Sequence, residues 1–328
     1  MLFTSRGSVR NFILISAAVS LALPCQSQTE CTIQQQEVFA PQGKPVVLAS
    51  RPGAPADARF VLFQSKLRVN TDGAPTSYHP DDPKGQTKAI NNIANAISVR
   101  KDGKSVSYAD TIRVFEDFRD HDWTVPAGYQ LTWQNVLAAR TEGSRKVPCV
   151  FTSGENKGYF GSLTALRNNL SGAAAGECSA ADQLDERYVP ALVIAGGSNP
   201  LKHFGVSTGD LLIALNPANG VVQAAVVGDS GPTDNLGEGS VALNMSLLKN
   251  THQPRTYSET KVLDTGSHEI IVALLPKTAA YKPQRPFSAE NITARVIDWL
   301  TSHGYESLQT FNATAKTCAS QMNATFRK

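Results

Sequence analysis

The chain has 328 residues, 41% of them hydrophobic, with 31 basic and 28 acidic side chains. That is enough apolar material for one large core or two small ones. The near-balance of charge and the lack of a basic run with interleaved aromatics argue against a nucleic-acid binder, and no strongly acidic tract advertises a polycation-binding surface.

Residues 1–28 read as a secretory signal peptide. Arg6 and Arg10 supply the positive start, and the apolar stretch from Phe12 to Leu23 is too short to span a bilayer comfortably. Pro24 directly before Cys25 argues against a lipoprotein signal, so cleavage is expected between Cys25 and Glu30. The expected location is therefore extracellular, with no membrane association once the leader is removed. Loss of Arg6 and Arg10 leaves the mature chain close to neutral. Export also makes the cysteines interpretable. Cys31, Cys149, Cys178 and Cys318 remain, an even number that suggests two disulfides with three possible pairings. Cys149 with Cys178 would staple a local loop, and Cys31 with Cys318 would tie the two ends together; this pairing is preferred over the others. With no Cys-x-x-Cys and no Cys/His cluster, no metal site is expected. Five Asn-x-Ser/Thr sequons occur, at Asn169, Asn244, Asn291, Asn312 and Asn323.

In chain order, Phe60-Val61-Leu62-Phe63 and then Leu67 and Val69 read as β structure running into the turn Asp72-Gly73-Ala74-Pro75. Ile112, Phe115 and Phe118 fall at helical spacing within 108–118, and 131–140 reads as a second short helix. Gly172-Ala173-Ala174-Ala175-Gly176 reads as a small-residue loop. Leu211–Leu215 and Val221–Val227 are two strands joined by Asn216-Pro217-Ala218-Asn219-Gly220, a hairpin turn. Val241, Ala242, Met245 and Leu248 share a helical face, and Ile270–Leu275 is another buried-strand run. Ser288 is the expected N-cap of a helix carrying Ile292, Val296, Ile297 and Leu300. Residues 313–328 read as a polar, loose tail apart from Cys318. With no repeat and no linker, 29–312 is expected to be a single α+β domain with a β-rich core, a small barrel-like sheet with flanking helices.

The most telling stretch is Val226-Val227-Gly228-Asp229-Ser230-Gly231-Pro232 followed by Gly237-Glu238-Gly239-Ser240. An apolar strand ends in Asp229, and a glycine-flanked glutamate, read as opening a helix, follows nine positions later. Two carboxylates on a tight scaffold suit acid–base chemistry. Each alone has a plain structural use: Glu238 can satisfy free amides at a helix start, and Asp229 can bond its own turn. Asp72 in its Asp-Gly turn is equally open to a structural role or to lining a cleft. Ser230 has no histidine partner and there is no Gly-x-Ser-x-Gly elbow, which argues against a nucleophilic serine hydrolase.

Short motifs in consistent order carry a resemblance across residues 58–305. They are Ser65-Lys66-Leu67-Arg68-Val69, Asp72-Gly73-Ala74-Pro75, Tyr78-His79-Pro80 and Asn92-Ile93-Ala94-Asn95-Ala96. Tyr188-Val189-Pro190 with Ala191–Ile194, Gly209-Asp210-Leu211 and the block over 228–240 follow. On these the chain resembles the fungal-type chitosanases of glycoside hydrolase family 75. The resemblance implies endo-hydrolysis of β-1,4-linked glucosamine polymers with inversion, no cofactor, and essential Asp and Glu residues that map onto Asp229 and Glu238. Lys66, Asp72, Tyr78, His79 and Asp210 are the expected substrate contacts. For His79 this competes with a loop histidine bonded to backbone, and for Asp210 with a strand cap. The implied partner is chitosan, bound by a monomer. Family habit makes Glu238 the acid and Asp229 the base; a helix start would instead favour ionised Glu238. Hydrolysis of peptidoglycan or another wall glycan, and non-catalytic carbohydrate binding, remain the alternatives.

Overall fold

Leu211–Leu215 and Ile270–Leu275 are apolar at every position, a pattern that suits strands buried on both faces. A computed structural model describes residues 30–171 and 178–326, so the leader and the 172–176 loop lie outside the described residues. The strands in chain order are β1 (Thr32–Phe39), β2 (Lys44–Ser50), β3 (Phe60–Ser65), β4 (Arg68–Asn70), β5 (Ser98–Lys101), β6 (Lys104–Ser105) and β7 (Tyr129–Thr132). Then come β8 (Ala139–Glu142), β9 (Arg145–Pro148), β10 (Ala191–Ile194), β11 (Leu211–Leu215), β12 (Val222–Ser230), β13 (Gly237–Ser240) and β14 (Ile270–Leu275). The helices are α1 (Tyr108–Asp120), α2 (Pro200–His203), α3 (Val241–Leu248), α4 (Tyr257–Lys261), α5 (Ala289–Ser302) and α6 (Leu308–Phe326).

Nine strands form one mixed sheet in the order β1-β2-β3-β14-β11-β12-β10-β13-β4, with β11 and β14 near its centre. Alternate side chains of each strand feed two different cores. Leu211, Ile213, Leu215, Ile271 and Ala273 pack with Val296 and Trp299 of α5 and Phe311 and Met322 of α6. Leu212, Ala214, Val272 and Leu274 pack on the other side with Leu201 of α2 and Leu243 and Leu247 of α3. Ile112, Phe115 and Phe118 of α1 build a separate cluster with Trp133, Leu137 and Phe160. The protein is thus α+β and sheet-rich. Its strand order has two ends, β1 and β4, so main-chain pairing does not close the sheet into the barrel-like form expected from sequence.

Local signals are borne out where they act over a few residues. The β11–β12 hairpin turns through Gly220 at φ +76°, a value that an L side chain rarely adopts. Ser288 caps α5 and completes a capping box with Asn291. On that helix Ile292, Val296 and Leu300 are buried, while Ile297 is exposed. Both disulfides join the expected partners, with Cα separations of 5.2 Å for Cys31–Cys318 and 5.4 Å for Cys149–Cys178.

Three readings change. Residues 131–140 are not helical: β7 pairs with β5, Leu131 opposite Val99, and the chain then turns into β8. Asn244 is fully buried and donates to the carbonyls of Leu67 and Leu263, so its sequon is closed to a glycan in the folded chain. The segment after Phe311 is no loose tail. Phe311, Ala315, Cys318 and Met322 recur at helical spacing and form the buried stripe of α6. Small and polar neighbours masked that stripe in the composition. Among the described residues no helix is long and apolar enough to cross a membrane.

Met322 is fully buried in the core shared by α6 and the sheet. Met322→Ala is expected to cost about 2–5 kcal/mol in denaturant unfolding, whereas a loose tail would give a change near zero.

Candidate active site

Asp229 is the penultimate residue of β12, and Glu238 lies within β13, two residues before Ser240. The helix start belongs to Ser240, whose side chain accepts from the Leu243 amide, so Glu238 is a strand residue. This corrects its expected position, and the helix-dipole argument for its ionised form loses its main support.

The two acids meet through β10. That strand pairs in parallel with β12 and antiparallel with β13, and Val193 is the register partner of both Asp229 and Glu238. Residues in register share a face of a sheet, so both carboxylates rise on the same side with one strand between them. Two strand spacings put their Cα atoms about 9–10 Å apart. The register depends on a bulge. Leu192 pairs with Val227, but Val193 pairs with Asp229, so Gly228 is the extra residue. Without it Asp229 would sit opposite Ile194 and face the other core. Glycine is required there by space: a Cβ at 228 would lie 2.9 Å from the Ala191 Cβ and 3.2 Å from Glu186 Oε1. Gly239 is equally constrained, because a Cβ there would lie 1.9 Å from Asn244 Oδ1.

Each acid has a defined environment. Asp229 Oδ1 accepts from the amides of Ser230 at 2.7 Å and Ala165 at 3.1 Å. Burial pushes its pKa up, while those amides and Arg167 oppose the shift. Glu238 Oε1 accepts from Asn235 Nδ2 at 3.0 Å. Burial raises its pKa as well, against the Asn235 bond and the charges of Arg68 and Lys261.

Two further carboxylates share this field. Asp72 Oδ1 accepts from the Tyr78 hydroxyl at 2.7 Å, and Asn91 Nδ2 in turn donates to that hydroxyl at 3.0 Å. Burial, then the charges of Asp229 and Glu238, push Asp72 up to about 7 in spite of the Tyr78 bond. Glu186 was not found by sequence reasoning. It is fully buried, its Oε2 accepts from Asn70 Nδ2 at 3.2 Å, and its Oε1 has no hydrogen-bond partner. Burial and the charges of Asp229, Asp72 and Glu238 hold it well above the carboxylate range. The charges of Asp229 and Glu238 thus add to burial in favouring the protonated forms of Asp72 and Glu186. Set between Asp185 and Arg187, Glu186 looks in sequence like part of a solvated charged run; no periodic signal marks it.

The other expected substrate contacts divide. Lys66 is exposed, and its ammonium makes no ion pair among the described residues. Tyr78 is 1% exposed and serves Asp72 from beneath, so it orients a carboxylate and does not meet a sugar directly. His79 is buried; its Nδ1 accepts from the Asp81 amide and its ring packs edge-on to Tyr159, so it is the loop histidine of the alternative reading. Asp210 is fully buried and accepts from the amides of Ser207 and Ala279, so it ties two loops together. Among the described residues no His, Cys, Asp or Glu group is arranged to hold a metal ion. A cavity of about 640 Å³ elsewhere in the fold is lined by none of the four carboxylates.

No protein-family model matches this sequence, and a search of curated proteins returns no match.

The raised acids fix a pH dependence. A carboxyl whose native pKa exceeds its unfolded value stabilises the protein below the unfolded value and ceases to do so as pH rises through the native one. For Asp72 that window runs from about 4 to about 7, and Glu186 adds to the loss in the same direction. Melting temperature should therefore fall between pH 5 and pH 7.5. Glu186→Gln should match wild type at pH 4 and melt a few degrees higher at pH 7.5. Gly228→Ala should cost about 1–3 kcal/mol in chemical denaturation, because the added methyl must displace Ala191 or Glu186.

Proposed function

We propose that the protein is a secreted, inverting endo-glycoside hydrolase of chitosan, the activity implied by its resemblance to the family 75 chitosanases. The observation that carries this reading is the shared register of Asp229 and Glu238 on Val193. Inversion requires an acid at the leaving oxygen and a base that activates water, with carboxyls about 6.5–9.5 Å apart. Two acids on one sheet face, two strands apart, suit that spacing. A cluster of carboxylates also suits a polymer that carries ammonium groups.

Asp229 is assigned as the base. Two main-chain amides converge on one of its oxygens, which favours the anion and leaves the second oxygen for water. Glu238 is assigned as the acid, with a single amide donor on one oxygen and the other available for a proton. Glu186 supports the pair from behind, and the half-buried Asp72 borders it. Holding protons at mildly acidic pH, they keep the site from accumulating four negative charges. Substrate contact is assigned to Asp72 and Lys66.

A second reading has its own support. A fissure of about 320 Å³ is lined by Lys88, Arg187 and Arg255 together with Tyr159 and Tyr188. Arg187 and Tyr188 directly follow Glu186 in the chain. Cations with aromatic walls favour a glycan that bears carboxylates, such as peptidoglycan. A panel of chitosan, chitin and murein separates the two, and polymer binding without release of reducing ends would point to a non-catalytic carbohydrate-binding protein.

The assignment predicts that Asp229→Asn and Glu238→Gln each lower reducing-end release from chitosan by at least about 10²-fold, with circular dichroism unchanged. Product anomers followed by NMR should be inverted. Full activity in either variant removes that residue from the catalytic pair.

A further inference from the structure

A cavity lies apart from the four carboxylates of the candidate site, at the C-terminal end of β14. It is walled by Leu48, Phe204, Pro276 and Trp299, with Arg59 and Lys277 supplying cations. Strands β11 and β12 separate β14 from β10, which is about 14 Å across the sheet. Its volume of about 640 Å³ is that of a small-molecule pocket.

Two cations of this pocket lack partners. Neither Arg59 nor Lys277 forms an ion pair among the described residues, and Arg59 Nε is buried with no acceptor. Behind the wall lies Arg295, 3% exposed, whose Nε and Nη2 donate to the carbonyls of Tyr281 and Thr278, both lining residues. Among the described residues its Nη1 has no partner and no carboxylate forms an ion pair with it. A buried cation without a counter-charge is costly, and the cost falls when an anion enters the same low-dielectric region. Of the other charged groups at the pocket, Asp57 is largely exposed and lies 3.9 Å from His303 Nε2. Asp298 is already engaged by Tyr281 and Lys282. The balance facing the cavity is positive, which suits a polycation such as chitosan poorly.

The geometry points to a second binding site, independent of the proposed hydrolase centre, for a small organic anion: a carboxylate carried on a ring. Arg59 and Lys277 take the charged group, and Phe204, Leu48 and the His303 ring, which is stacked on the buried Trp299, take the ring. Arg295 adds an uncompensated positive field from behind.

Isothermal titration of the full mature protein tests this with benzoate and glucuronate as probes, and with benzamide and inorganic phosphate as controls. Saturable one-site binding of at least one ring carboxylate is expected, weakened about tenfold or more in Arg59→Gln and in Lys277→Gln, and unchanged in Asp229→Asn. Lys277 is exposed, so its variant stays folded even if Arg59→Gln does not. The proposal is overturned if neither carboxylate saturates, or if binding survives both substitutions. Benzamide binding as tightly as benzoate would remove the requirement for charge, and phosphate binding as tightly would remove the ring.

Discussion

Strand β10 carries β12 on one side and β13 on the other, and the extra residue at Gly228 decides which side chains of β12 share a face with those of β13. Side chains alternate along a strand, so a shift of one position sends every later residue to the opposite face. The bulge spends one residue between Val227, which packs in the α3-side core, and Asp229, which stands beside Val193 and Glu238. Glu186 and Ala191 crowd the position so closely that only a hydrogen fits at 228. The candidate site therefore rests on one backbone irregularity and on the absence of one methyl group.

Around this pivot the protein sorts its acids by what surrounds them. Asp229 and Glu238 have donors on one oxygen and cations within range. Asp72 and Glu186 are more deeply desolvated and sit in the field of the first two. The two acids assigned to the chemistry differ instead in their donors, two main-chain amides on Asp229 against one side-chain amide on Glu238, an asymmetry of the kind that separates a base from an acid. The arrangement opposes stability at neutral pH, as is usual where a site holds like charges close together. The large double-sided core, with α5 and α6 on one face and α3 on the other, supplies the rigidity that such a cluster requires.

The cationic cavity beside α5 follows the same physics with opposite sign. Among the described residues Arg59, Lys277 and Arg295 form no ion pair, while the four carboxylates of the candidate site are gathered several strands away.

Much was legible from the sequence because it depends on contacts a few residues apart. The apolar runs of β11 and β14, the Asn219-Gly220 turn and the Ser288 cap are all of this kind. The disulfide pairing followed from the even cysteine count and the position of Cys31 and Cys318 near the two ends. What only the tertiary structure decided depends on residues far apart in the chain. Glu186 became a buried acid because Asn70 and Gly228 close over it, and Tyr78 turned inward because Asp72 and Asn91 bind its hydroxyl. Asp210 was drawn into loop bonds with Ser207 and Ala279, and the polar C-terminal segment became a core helix because its few apolar residues share one face. Periodicity and capping are local energies that a sequence displays directly. Burial and register are sums over distant pairings, and they exist only once the sheet is assembled.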